Sequence, residues 1–191
     1  MIVKARLLRD SKELGKVPND KPGWYRWWAD EMALKNLLGD HFAGLSPGLT
    51  KGTGPDLDGL SCLYVGVAIK ESIRARLNWH INQKHSRSSV KHVTLSTLRQ
   101  SIASLVGVDQ GDEAATNQLI DLLTVEYHAV DSPIKSPAAK KHIEEMELSE
   151  IKTHILPLNI KSNKRPEIAA FKKHLKAARK MAKQEYFKNQ Q

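Results

Sequence analysis

Two tyrosines, an arginine with a histidine four positions on, a cluster of glutamates and a late asparagine are the residues here whose types and spacing suit chemistry. Tyr25 closes the triplet Gly23-Trp24-Tyr25, and Tyr64 opens Tyr64-Val65-Gly66. A phenol hydroxyl can take a proton once a neighbouring cation has lowered its pKa. Arg76 and His80 would share one face of a helix, a turn apart. A fixed guanidinium offsets negative charge that gathers on phosphoryl oxygens. Glu144, Glu145 and Glu147 crowd the stretch IEEMEL, and such carboxylates can hold a hard divalent cation. Asn159 lies in Pro157-Leu158-Asn159-Ile160, with Asn163 beyond. Singly, each has a plainer reading: a core tyrosine with its hydroxyl satisfied, a surface arginine or half an ion pair, a half-buried histidine, a solvated acidic face.

The elements that must position these residues follow from periodicity and breakers. The aromatic run Trp24-Tyr25-Arg26-Trp27-Trp28 favours a strand, and its tryptophans read as core and edge-strand packing. A short helix is expected over 30–44, through Met32, Leu34, Leu37 and Leu38, and a loop over the Gly- and Pro-rich 46–59. CLYVGVA at 62–68 reads as a buried strand, and 70–81 as a helix with Ile73, Leu77 and Ile81 on one stripe. The polar, basic 82–94 reads as an exposed loop. A helix from Ser96 to Gly107 and another over 112–123 follow, then a strand over 124–131. Ser136-Pro137 is a capped start for a helix running to about Thr153. ILPLNI reads as a short extended segment. Pro166 opens a last helix, with Ile168, Phe171, Leu175, Ala178 and Ala182 on one face and Lys172, Lys173, Lys176, Arg179, Lys180 and Lys183 on the other. The pattern is α/β or α+β: a small sheet covered by helices, with a basic helix at the end.

Composition narrows the class of function. The 191 residues carry a formal net charge of +9, which suits a polyanionic partner, nucleic acid being the commonest. The basic face of the last helix has a phosphate-tracking reading beside the default of a solvated face. Membrane-surface binding by it is disfavoured, because its alanine-rich apolar face is shallow. No apolar run is long enough to span a bilayer, and the first residues lack a secretory pattern. Cys62 is the only cysteine, which excludes an internal disulfide and a cysteine-based zinc cluster and fits a reducing, cytoplasmic setting. His80, His85 and His92 are irregularly spaced, and nothing completes a zinc tetrahedron around them.

In order, YVG, RLNWH, Ser96-Thr97-Leu98-Arg99 with Ser101, the glutamate helix and PLNI with Asn163 make a set that resembles the GIY-YIG nuclease family. The resemblance covers roughly Gly23 to Asn163. It implies a small, mainly antiparallel sheet flanked by helices, preceded by an N-terminal extension at 1–22 and followed by the basic helix at 164–191. It also implies a metal-dependent endonuclease acting on DNA, double-stranded or branched, with one divalent cation, Mg²⁺ or Mn²⁺. By the same resemblance, Tyr25 or Tyr64 is the general base, Arg76 the phosphate stabiliser, and His80 and Asn159 positioning residues. Reading IEEMEL against the family phrase favours Glu144 as metal ligand; Glu147 is next, on the same helix face, and Glu145 points elsewhere. Lys172, Lys173, Lys176, Arg179 and Lys180 are the expected nucleic-acid contacts. The alternative is a nucleic-acid-binding module that keeps the fold without cleaving. The chain departs from the family in a long Tyr25–Tyr64 connection, a slightly stretched Gly66–Arg76 segment, and Val67 where many members carry lysine.

Overall fold

The aromatic run forms strand β2 (Gly23–Ala29), as its residue types predict. It is central rather than an edge. In this computed structural model, which describes residues 1–92 and 94–189, β2 pairs antiparallel with β3 (Ser61–Ala68) on one side and β4 (Thr124–Ala129) on the other. The outer flank of β4 is covered by β1 (Ile2–Lys4), giving the order β1-β4-β2-β3. Residues 1–22 thus carry a strand that no alternation in the sequence announces, and they also bury Ala5, Leu8 and Val17. Position 93 of the expected loop and positions 190–191 of the expected last helix lie outside the described residues.

Helices cover both faces of the sheet. On one side lie α4 (Ile73–Asn82), α6 (Thr97–Val106) and α9 (Ala169–Lys188), whose Leu77, Ile81, Leu98, Ile102, Phe171 and Leu175 pack in one core with Tyr25 and Trp27. The other side is closed by α8 (Pro137–Thr153), with Ile151 against Trp28, Cys62 and Val65. Caps fix where these helices begin. Ser72, Ser96 and Ser136 accept from the backbone N–H three residues on, and Gly107 ends α6 in the left-handed conformation at φ 75°.

Between β2 and β3, residues 30–60 hold a helix at Glu31–Leu38, a single turn at Phe42–Leu45 and an irregular loop. Two expectations need correction. The polar 82–94 contains a helix at Arg87–Lys91, because Ser86 and Ser89 form a capping box and Val90 buries against Leu95 and Tyr186. ILPLNI forms a turn rather than an extended segment. Its one bridge is Ile155 to Leu49, and the Asn159 N–H donates back to the Leu156 carbonyl. A further helix, α7 (Glu113–Asp121), precedes β4; in chain order the shorter helices are α1 (Ser11–Gly15), α2 (Glu31–Leu38), α3 (Phe42–Leu45) and α5 (Arg87–Lys91).

Candidate active site

The register of β2 on β3 sets Tyr25 opposite Gly66. A Cβ at Gly66 would stand 2.5 Å from the Tyr25 Cζ, so the glycine is what lets the phenol ring cross β3. Tyr64 pairs with Trp27 beside a bulge between Trp27 and Trp28, and its ring centroid lies 6.4 Å from that of Tyr25. The two triplets therefore bring two phenols to one place.

Helix α4 brings the next two groups. The Tyr25 hydroxyl lies 2.6 Å from His80 Nε2, and His80 Nδ1 lies 2.5 Å from Ser96 Oγ. Burial, with Arg76 and Arg99 adding to it, holds the His80 pKa well below its ordinary value, so the ring is neutral. A phenol donates more readily than an alcohol, so Tyr25 O–H donates to Nε2 while Nδ1–H donates to Ser96. The serine that caps α6 thus also fixes the histidine tautomer. That function is invisible in the motif as written.

Arg76, one turn before His80, donates from Nη2 to Glu71 at 2.7 Å and stacks over Trp79 at 4.8 Å. Its Nε is buried with no protein partner, and the rest of the side chain lines a hollow with Lys70, Lys135 and Lys140. Burial pushes the Tyr25 phenol well above its ordinary value and the Tyr64 phenol up to about 12. Arg76 pulls both back down, and Glu147 pushes both further up. The phenols thus sit between a guanidinium and a carboxylate.

That carboxylate comes from α8. Ile143, Glu147 and Ile151 recur every fourth residue, so Glu147 occupies an inward position of an otherwise apolar stripe. The helix is locked in this rotation by Arg26, which grips Glu150 at 2.6 and 3.1 Å and also reaches Glu126 of β4 at 3.3 Å. Glu147 lines a cleft of about 490 Å³ with Tyr64, Asn159, Lys161, Lys176 and Arg179. Desolvation raises its pKa; Lys161 lowers it and Glu144 raises it further. Among the described residues no cation approaches Glu147 within ion-pair distance. Glu144, by contrast, stands on the rim. It is half exposed, 3.9 Å from Lys140, and borders a second hollow with Arg76, Lys70 and Lys135. Glu145 faces solvent beside Lys141.

Asn159 works as a strand surrogate. Its Oδ1 accepts from the Val65 N–H at 2.9 Å and its Nδ2 donates to the Val65 carbonyl at 2.8 Å, pairing the free edge of β3 next to Tyr64. Of the basic residues expected on α9, Lys176, Arg179 and Lys180 line grooves, and Lys183 joins them. Lys172 instead donates to the Asn163 carbonyl, and Lys173 faces open solvent. Ser96, Glu71 and Lys161 were not singled out as site residues from the sequence; only the first carried a signal, inside the STLR phrase.

A resident divalent cation fits this donor set in one form only. No group of three or more His, Cys, Asp or Glu gathers among the described residues, so an all-protein cage is absent there. One half-buried carboxylate without a counter-charge, at the mouth of a cleft, suits an ion that keeps its waters and shares substrate oxygens.

The neutral imidazole has a consequence for stability. An unfolded histidine takes up a proton near pH 6.5, whereas the folded one resists it, so stability is lost as pH falls below that value. His85, held down by burial and Arg99, adds to the same trend. Denaturant unfolding at pH 7.5, 6.5 and 5.5 should show this decline, with a shallower slope in His80→Asn. A flat profile in the wild type would mean that the ring is not held neutral.

Among the described residues, no helix is long and apolar enough to cross a membrane. The family model of the GIY-YIG catalytic domain matches residues 23–181. The searches of curated proteins and of solved structures gave no match.

Proposed function

Because the chain belongs to the GIY-YIG family of nucleases, we propose that it hydrolyses DNA phosphodiester bonds as a divalent-cation-dependent endonuclease. The observation that carries the reading is the meeting of Tyr64 and Glu147 in one cleft, with Arg76 and the Tyr25–His80–Ser96 chain around them. The basic surface suits a duplex or a branched backbone, since Lys176, Arg179 and Lys180 line one groove and Lys70, Lys135 and Lys140 another hollow.

Each residue then has a task its surroundings allow. Arg76, braced by Glu71 and Trp79, offers the exposed part of its guanidinium, at the hollow it shares with Lys70 and Lys135, to a phosphate oxygen that gains charge in the transition state. Tyr64 reaches the cleft and, once its own proton has left to solvent with Arg76 and a bound cation favouring the phenolate, would take the proton of an attacking water. Tyr25 is buried behind it and keeps its own proton in the hydrogen bond to the neutral His80 Nε2, which holds both rings in place. Asn159 keeps β3, and so Tyr64, in register. Glu147 is the carboxylate for the cation, which when bound supplies positive charge at the departing oxygen and lowers the pKa of nearby acids.

Supercoiled plasmid incubated with the purified chain and Mg²⁺ or Mn²⁺ should be nicked, and chelation should stop it. Arg76→Ala should slow nicking by roughly 10²- to 10³-fold, the usual loss when one fixed transition-state donor is removed. One observation favours a second reading. Both phenols are pushed towards the protonated form, as in a module that binds DNA without cutting. Salt-sensitive DNA retention without nicking under either cation would establish that reading and overturn the enzyme.

A further inference from the structure

The arginine on α9 that shares the cleft differs from the lysines around it. Arg179 is half-buried, and among the described residues no carboxylate lies within ion-pair distance of it. Its Nη2 donates to Gln100 Oε1 at 2.7 Å. Gln100 is itself buried at 8% exposure, and its Nε2 donates to the Leu95 carbonyl at 2.9 Å. With the amide nitrogen committed to Leu95, the amide oxygen can only face Arg179, so the guanidinium is aimed by a fixed side chain. Burial without a counter-charge lowers its pKa, the mark of a cation whose anion the protein does not supply. Arg179 borders both the cleft of Tyr64 and Glu147 and the adjoining groove of Lys180 and Lys183. Lys172 and Lys183 already spend their ammonium groups on backbone carbonyls.

We propose that Arg179, positioned by Gln100, forms a discrete phosphate subsite that clamps a backbone phosphate next to the one being cut. This rests on the nuclease reading for its place on the substrate, though not for its affinity for an anion. Two nitrogens held in a plane can meet two non-bridging oxygens of one phosphate, which a lysine point charge cannot. The clamp fixes the register of the chain in the cleft, whereas the lysines contribute only to overall attraction.

Inorganic phosphate titrated into the full-length chain, followed by arginine Nε–H signals in NMR, tests the subsite without relying on cleavage. The Arg179 signal, assigned as the one missing in Arg179→Lys, should respond first. Phosphate affinity should fall at least about tenfold in Arg179→Ala, as expected for one charge-assisted contact. Gln100→Glu keeps the arginine but supplies it with a carboxylate counter-charge on the positioning side, and it should lose affinity as much. Lys183→Ala should stay within about twofold. In plasmid nicking, Arg179→Ala should lower kcat about tenfold or more, whereas Lys183→Ala should mainly raise KM. Equal losses in all three variants, or none, would overturn the subsite. A subsite that behaves as stated in a chain that never nicks DNA would overturn the nuclease reading alone.

Discussion

Glu147→Gln is expected to abolish cation-dependent nicking, a loss on the order of 10³-fold or more, while Glu144→Gln stays within about tenfold of wild type. The two glutamates are three residues apart on α8, yet their surroundings differ. Glu147 faces Tyr64 in a cleft that strips water from it, and among the described residues no cation forms an ion pair with it, Lys161 acting only from a distance. A divalent ion placed there gains the full attraction of a poorly hydrated carboxylate. Glu144 is 52% exposed and faces Lys140 across 3.9 Å, where solvent screens whatever it binds. The raised pKa of Glu147 adds a pH signature. Its cation-binding form is lost at a higher pH than for a free glutamate, so the acid limb of activity should sit above the ordinary carboxylate range. Nicking rates of both variants, measured across pH and Mn²⁺ concentration, check this. An inactive Glu144→Gln beside an active Glu147→Gln would move the metal to the rim and sink the assignment.

Arg99→Ala should cost about 3–5 kcal/mol of folding stability, a drop of roughly 10 °C in Tm, and should impair nicking through His80. Arg99 has no exposed surface, and no carboxylate pairs with it among the described residues. Its guanidinium caps the end of α4 instead. Nη1 donates to the carbonyls of His80 and Ile81 at 3.0 Å each, Nη2 to Asn117 Oδ1 at 2.7 Å, and Nε to His85 Nε2 at 2.9 Å. Arg9 adds a second guanidinium at 2.7 Å from the Ile81 carbonyl. Two cations thus satisfy the open carbonyls of a helix C-terminus and complement its dipole. Removing Arg99 leaves those acceptors buried and opens a cavity behind His80. Thermal unfolding checks the stability loss, and nicking at a temperature where the variant is folded checks the positioning role. A variant with unchanged Tm would show that the buried network contributes little net energy. Arg99→Lys should not rescue, because an ammonium cannot reach four acceptors in a plane.

The order of elements was legible along the chain because it rests on local rules. The aromatic run, the buried apolar segment at 62–68, Ser96 and Ser136 as caps, Gly107 as a stop and the four-residue stripes placed most strands and helices. β1 was not legible, since Ile2–Lys4 is too short to show alternation and becomes a strand only because β4 offers it a free edge. The fate of 155–160 was set in the same way, by an asparagine side chain pairing with Val65 from across the molecule.

For the site, the sequence alone determined that two phenols, Arg76 and His80 are present at spacings a strand pair and one helix can use. It also carried a hint of which glutamate turns inward: Glu147 fills the slot between Ile143 and Ile151 of an apolar stripe, where a charge is costly to desolvate. Tertiary structure alone decided that Gly66 makes room for Tyr25, that Ser96 sets the His80 proton, and that Arg179 turns from a solvated helix face into the cleft. The reason is physical. Periodicity says which way a side chain points from its own element, but what it meets there depends on register, helix rotation and burial, which only the packed chain fixes.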